Sequence, residues 1–141
     1  MDRSLSKHQW CAIIFLMRGE AKVWLEQAEE NFKTAQAMWK AHRYGFTCFC
    51  CQQTLEVILK AAFIAAGKDY PKIHSLAKLF QDSELPKGDV NLEILKEISK
   101  HYFQVRYPDL LRGKYNRALA YETLEKTRRI YSWIKNQIIK K

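Results

Sequence analysis

The sequence predicts an all-α fold, an up-and-down helical bundle of four long helices plus one short helix. Three observations carry that reading. Apolar residues recur at alternating steps of three and four in separate stretches, the spacing that lines one face of an α-helix. No stretch alternates apolar and polar residues as a half-buried strand does. Residues that stop or start helices fall between the periodic stretches.

The first nineteen residues stand apart. Trp10 to Met17 is an apolar run behind Arg3, Lys7 and His8, too short to span a bilayer and with no small-residue cleavage site after it. Met17-Arg18-Gly19-Glu20 reads as a natural start. Residues 1–19 are therefore taken as an N-terminal extension, either a start placed too early or an extra helical turn, and 20–141 as the bundle. The first long helix runs from Glu20 to about His42 on the stripe Leu25, Ala28, Phe32, Ala35 and Trp39, and ends before Tyr44-Gly45. The second begins near Phe46 and stops at Gly67, a natural residue for the left-handed turn that ends a helix, with Pro71 beyond. It is apolar on more than one side, with Gln53 and Glu56 as polar exceptions, as befits a central helix or one facing a second subunit. Leu76, Leu79 and Phe80 mark the short helix, with His74 at its start. After a loop marked by Ser83, Pro86 and Gly88, Leu92, Leu95, Ile98 and Tyr102 define a helix from Val90 to about Phe103. Asn116 caps the last one, whose stripe is Ala120, Leu124, Thr127, Tyr131, Ile134 and Ile138.

At 141 residues the chain is one domain with enough surface to bury a core without staples. The net charge of +9 is unevenly spread. Residues 20–111 carry twelve cations and twelve anions, whereas 112–141 contribute +7, so the basicity belongs to the C-terminal helix and suits an acidic partner or nucleic acid. Cys48 and Cys51 form a C-x-x-C pair, but no strand precedes it as a thioredoxin-like site needs, and no second pair follows at zinc spacing. With Cys11 and Cys50 they read as small buried thiols in a reducing, cytoplasmic setting. No metal or cofactor is expected, and no phosphate-loop or dinucleotide glycine motif is present.

The densest chemistry lies in His101-Tyr102-Phe103-Gln104-Val105-Arg106-Tyr107-Pro108-Asp109. Pro108 pushes Tyr107 out of the α region and ends the helix. That leaves a guanidinium, phenols, a carboxylate and an imidazole where two helices meet. Arginine presents a planar fork of donors that matches phosphate, and tyrosine presents a flat face for a base. An internal Arg106–Asp109 bond that ties down the turn is the plainer reading of the same residues. It does not exclude a ligand.

The order of these pieces resembles the HEPN domain, an all-α bundle. Trp24-Leu25-Glu26-Gln27-Ala28 opens the first helix as in that family. Phe46 to Ala61 is similar to its F-x-x-Q-Q-A-x-E-x-x-L-K-A helix, Ile73-His74-Ser75-Leu76 to its T-H-D/S-L turn, and Tyr102 to Asp109 to its Y-x-x-x-R-Y-P-D segment. The resemblance spans roughly Glu20 to Ile139. It implies a homodimer, a minimal nucleotidyltransferase as protein partner in a toxin–antitoxin-like pair, and a nucleotide or RNA as ligand. It also implies, for many relatives, a metal-independent endoribonuclease with an arginine followed four to six residues later by a histidine. None of the six arginines between Glu20 and Ile139 has a histidine at that spacing.

Two readings follow. In the first the protein is a HEPN module without the standard catalytic motif, contacting a nucleotide, RNA or its partner through Tyr102, Arg106, Tyr107, Asp109, Arg112 and Lys114. In the second it is an endoribonuclease in which Arg106 stabilises phosphate charge and His101 or His74 is the base. A third, blander reading is an interaction domain whose basic last helix binds RNA nonspecifically. No membrane is involved in any of them.

Overall fold

The computed structural model describes residues 6–9, 19–107 and 115–140. The apolar run at 10–17 and the stretch 108–114, with Pro108, Asp109, Arg112 and Lys114, lie outside the described residues. Among the described residues the architecture is all-helical. The elements are α1 (Glu20–Lys40), α2 (Tyr44–Ala65), α3 (Leu76–Asp82), α4 (Leu92–Ser99), α5 (His101–Gln104) and α6 (Arg117–Ile139). The helix expected over 90–103 is thus present as two pieces joined at Lys100, which keeps helical dihedrals.

Helix ends follow from local chemistry. Asn116 accepts a hydrogen bond from the Leu119 amide, Ser75 from that of Lys78 and Asn91 from that of Glu93, each filling a donor the helix start leaves open. α2 ends as expected at Gly67, with φ +76°. The Gly67 amide bonds the Ile64 carbonyl and the Lys68 amide bonds that of Phe63. α1 ends in the same paired pattern, with His42 donating to Trp39 and Arg43 to Met38. Here the left-handed position is taken by His42, at φ +60°, not by a glycine. The chain therefore reverses within residues 41–43, and α2 starts two residues earlier than the apolar pattern indicates.

α2 is the axis of the bundle. Thirteen of its 22 residues are buried, against α1 on one side, α6 on another and α3 to α5 across the rest. The predicted stripes face it: Leu25, Ala28, Phe32 and Ala35 from α1, and Leu124, Tyr131, Ile134 and Ile138 from α6. The Phe32 and Tyr131 rings stack with centroids 5.2 Å apart, and Glu29 accepts from the Tyr131 hydroxyl and from Lys135 at 3.0 Å. α2 is long and apolar enough to cross a membrane, but most of that surface is covered by its own neighbours. The apolar excess that suggested a facing subunit is mostly consumed within the bundle. What remains outside is its first two turns, where Phe46 is 57% exposed and Phe49 half-buried.

Candidate functional site

The site is built on the buried face of α2. Glu56 lies one helical turn from both Gln52 and Lys60, so all three share one face. The Glu56 carboxylate accepts from Gln52 Nε2 at 2.9 Å and from Lys60 Nζ at 3.0 Å. His74, just ahead of α3, brings Nδ1 within 3.1 Å of both carboxylate oxygens. Burial alone would raise the Glu56 carboxyl, but the bonds from Gln52, Lys60 and His74 outweigh it and hold the pKa below the usual value. Glu56 is therefore an anion, which only accepts, so His74 holds a proton on Nδ1, and in the neutral ring Nε2 then carries the lone pair.

Tyr102 closes the arrangement from α5. Its ring stacks on His74 with centroids 4.0 Å apart and planes at 17°, which brings its hydroxyl 3.0 Å from Nε2. Stacked rings hold that hydroxyl above the imidazole plane rather than along the Nε2 lone pair. We read the contact chiefly as stacking, with the in-plane lone pair left for another donor. The Arg106 guanidinium lies 4.2 Å from the Tyr102 ring centre and 5.2 Å from that of Phe49. No carboxylate among the described residues pairs with Arg106. Phe103 and Tyr107 add exposed rings beside it, at 55% and 54%. A buried anion thus orients an imidazole, and a guanidinium without an acidic partner among the described residues sits on an adjoining aromatic shelf.

Of the residues singled out from the sequence, His74, Tyr102 and Arg106 are brought together, with Tyr107 one residue on. His101 faces elsewhere: it is buried, and its Nδ1 is 2.6 Å from the Tyr115 hydroxyl. Burial pushes its pKa down to about 4, with Lys100 adding to the fall and Glu97 opposing it. It borders a cleft of about 470 Å³ whose flanking Lys100–Glu97 and Lys126–Glu122 pairs neutralise one another. Asp109, Arg112 and Lys114 lie outside the described residues. Sequence reasoning missed Gln52, Lys60 and Phe49. The i, i+4, i+8 run of Gln52, Glu56 and Lys60 on an otherwise apolar helix is the signal that finds the first two. Burial raises the Cys48 thiol to about 11 and that of Cys51 further still, so the C-x-x-C pair is held as unreactive thiol. No cluster of metal-binding side chains occurs among the described residues.

Comparison with known proteins adds the lineage. No curated protein matches the chain. Among solved structures it is similar to TT1696 from Thermus thermophilus, at 33% identity and a TM-score of 0.72, over 82% of this chain and 96% of that one. It is also similar to ST0689, an archaeal HEPN homologue, at 27% identity and a TM-score of 0.70, over 86% and 99%. The family model for the HEPN domain matches residues 21–137, all but the two ends. By that match and by its fold, the chain belongs to the HEPN domain family.

Proposed function

We propose that this HEPN protein binds RNA or a nucleotide at the Arg106 shelf and works beside a minimal nucleotidyltransferase as its partner. The observation that carries the reading is the Arg106 guanidinium, unpaired among the described residues and lying over the Tyr102 and Phe49 rings. A guanidinium in that setting offers its donor fork to phosphate, while the exposed Phe103 and Tyr107 rings offer faces to a base. Calorimetric titration with nucleotides and short RNA tests it. Binding that Arg106→Ala weakens at least tenfold is expected, and co-purification with a nucleotidyltransferase tests the partnership. Unchanged binding in that variant removes the site.

A second reading is favoured by the Glu56–His74 geometry: a metal-independent endoribonuclease with His74, rather than His101, as base. The Nε2 lone pair would take the proton of a ribose 2′-hydroxyl, the oxygen would attack the adjacent phosphorus, and Arg106 would hold the added charge. The products are a 2′,3′-cyclic phosphate and a 5′-hydroxyl, with water protonating the departing oxygen. Cleavage of RNA in chelator, lost in His74→Ala, is the expected result. Cleavage that survives His74→Ala refutes the assignment.

A further inference from the structure

Away from the Arg106 shelf, a second group of cations and rings lies at the same end of the bundle. The end of α1, the start of α2, the end of α5 and the start of α6 converge there. Gly45 packs near Tyr115 and Val105, and the Arg117 guanidinium lies 4.5 Å from the Trp39 ring centre. Trp39 in turn meets Tyr121 at 5.8 Å, and His42 stacks with Tyr44 at 5.9 Å, planes 18° apart. Tyr121 and Arg117 are exposed.

The charge pattern at this pole differs from that of most of the surface. Elsewhere cations sit beside acids one turn away, as in Lys22–Glu26, Lys78–Asp82, Lys96–Glu93 and Lys126–Glu122. At the pole Lys40, Arg43, Arg106 and Arg117 have no such partner among the described residues. The sequence explains it: residues 31–55, 98–108 and 110–121 contain no Asp or Glu. Neither α2 nor α6 has an acid in its first turn, where one would be stabilising. Four like charges with no acidic partner among the described residues cost folding free energy, which a polyanion with flat faces would offset.

Resting on the reading of the Arg106 shelf, we infer that the ligand is single-stranded nucleic acid long enough to cross the pole, from Arg106 to a second stacking station formed by Trp39, Arg117 and Tyr121. Arg43, exposed at the turn between α1 and α2, supplies a phosphate contact in this reading. Rings that take base faces select an unpaired strand, because a duplex hides those faces in its own stack. A mononucleotide fills one station only.

Fluorescence anisotropy with labelled oligouridylate and oligothymidylate tests this, using a dinucleotide, a dodecamer and a dodecamer duplex. The dodecamer is expected to bind most tightly. Arg117→Ala and Tyr121→Ala, both at exposed positions, should each weaken it about fivefold or more and leave the dinucleotide unchanged. Arg117→Ala should also lower the slope of log affinity against log salt by about 0.7. Arg106→Ala should weaken both lengths. Circular dichroism confirms that each variant is folded, and Arg117→Lys should restore the salt slope. The RNA and DNA arms show whether the 2′-hydroxyl is read; tight binding of either strand supports the inference. Wild-type dodecamer binding in both Arg117→Ala and Tyr121→Ala overturns the second station while leaving the Arg106 reading intact. Equal affinity for the duplex, or for labelled polyglutamate, overturns it in favour of a nonspecific anion surface or an acidic protein. If no oligonucleotide binds, both readings fall together.

Discussion

Glu56 anchors three donors at once, and two of them, Gln52 and Lys60, are buried with it. Glu56→Ala leaves the Lys60 ammonium in the interior without its anion and should cost about 3 kcal/mol in a urea melt. A loss below about 1 kcal/mol means that Lys60 reaches water by another route. Because the folded carboxyl is held below its ordinary value of 4.5, its contribution is fully present above that pH and lost as acid carries it through the lower folded value. His101 works over a different window. The unfolded chain takes up its proton near pH 6.5, the folded chain not until about 4. Stability should therefore be flat in this group above pH 6.5 and fall toward pH 4, by up to about 3 kcal/mol. His101→Phe should flatten that slope in melts between pH 7 and 4.5; an unchanged slope puts the titration elsewhere. Neither environment was legible residue by residue. Glu56 stood out as a polar exception, but its contact with His74 joins positions 18 apart, and that of His74 with Tyr102 joins positions 28 apart. Only packing brings them together.

Helix ends were more legible, because they depend on neighbours in sequence. Gly67 and Asn116 do what their residue types imply, the first as a left-handed stop and the second as a cap. His42 hides the equivalent stop of α1, since an imidazole does not announce a positive φ as glycine does. The two turns make opposite predictions. A methyl at Gly67 meets nothing within 4 Å, so Gly67→Ala should cost about 1 kcal/mol through backbone strain alone. His42→Gly should leave stability unchanged or raise it by about 0.5 kcal/mol, relief of strain set against added unfolded-state entropy. Chemical denaturation of both decides; a loss above about 1 kcal/mol in His42→Gly would mean that its stacking on Tyr44 outweighs the strain. The break at Lys100 was not legible at all. Leu92, Leu95, Ile98 and Tyr102 keep their spacing across it, and Lys100 itself stays in the helical region.

For the whole molecule, the predicted order of helices and most of the buried stripes hold, because one central apolar helix and amphipathic partners admit few arrangements. The centre of charge is where sequence reasoning was coarsest. It assigned the net basicity to the last thirty residues without placing it: Lys126 and Arg128 pair with Glu122 and Glu125, whereas Arg117 joins Lys40, Arg43 and Arg106 at one end of the bundle, with no acidic partner among the described residues. Oligomeric state belongs to this scale. The surface of α2 that argues for a second subunit shrinks to Phe46 and Phe49, linked through Tyr102 to Phe103. We expect a two-fold dimer that packs at Phe46 and leaves the Arg106 shelf open to a cleft shared by both subunits, with a light-scattering mass near twice 16.7 kDa at micromolar concentration. Phe46→Lys should return it to a monomer. A wild-type monomer refutes the dimer.

The tight reversal at residues 41–43 also bears on how the chain reaches this state. α1 and α2 can zip together from that turn at small loop-closure cost, since their contacts are nearest at the hinge and open outward. α6 has no such head start, and its bonds from Tyr131 and Lys135 to Glu29 span 102 and 106 residues. The α1–α2 hairpin should therefore be the nucleus, with α6 docking after the rate-limiting step. In stopped-flow chevrons Ala28→Gly, inside the hairpin, should slow refolding. Ile134→Val, on the late-arriving helix, should act on the unfolding limb instead.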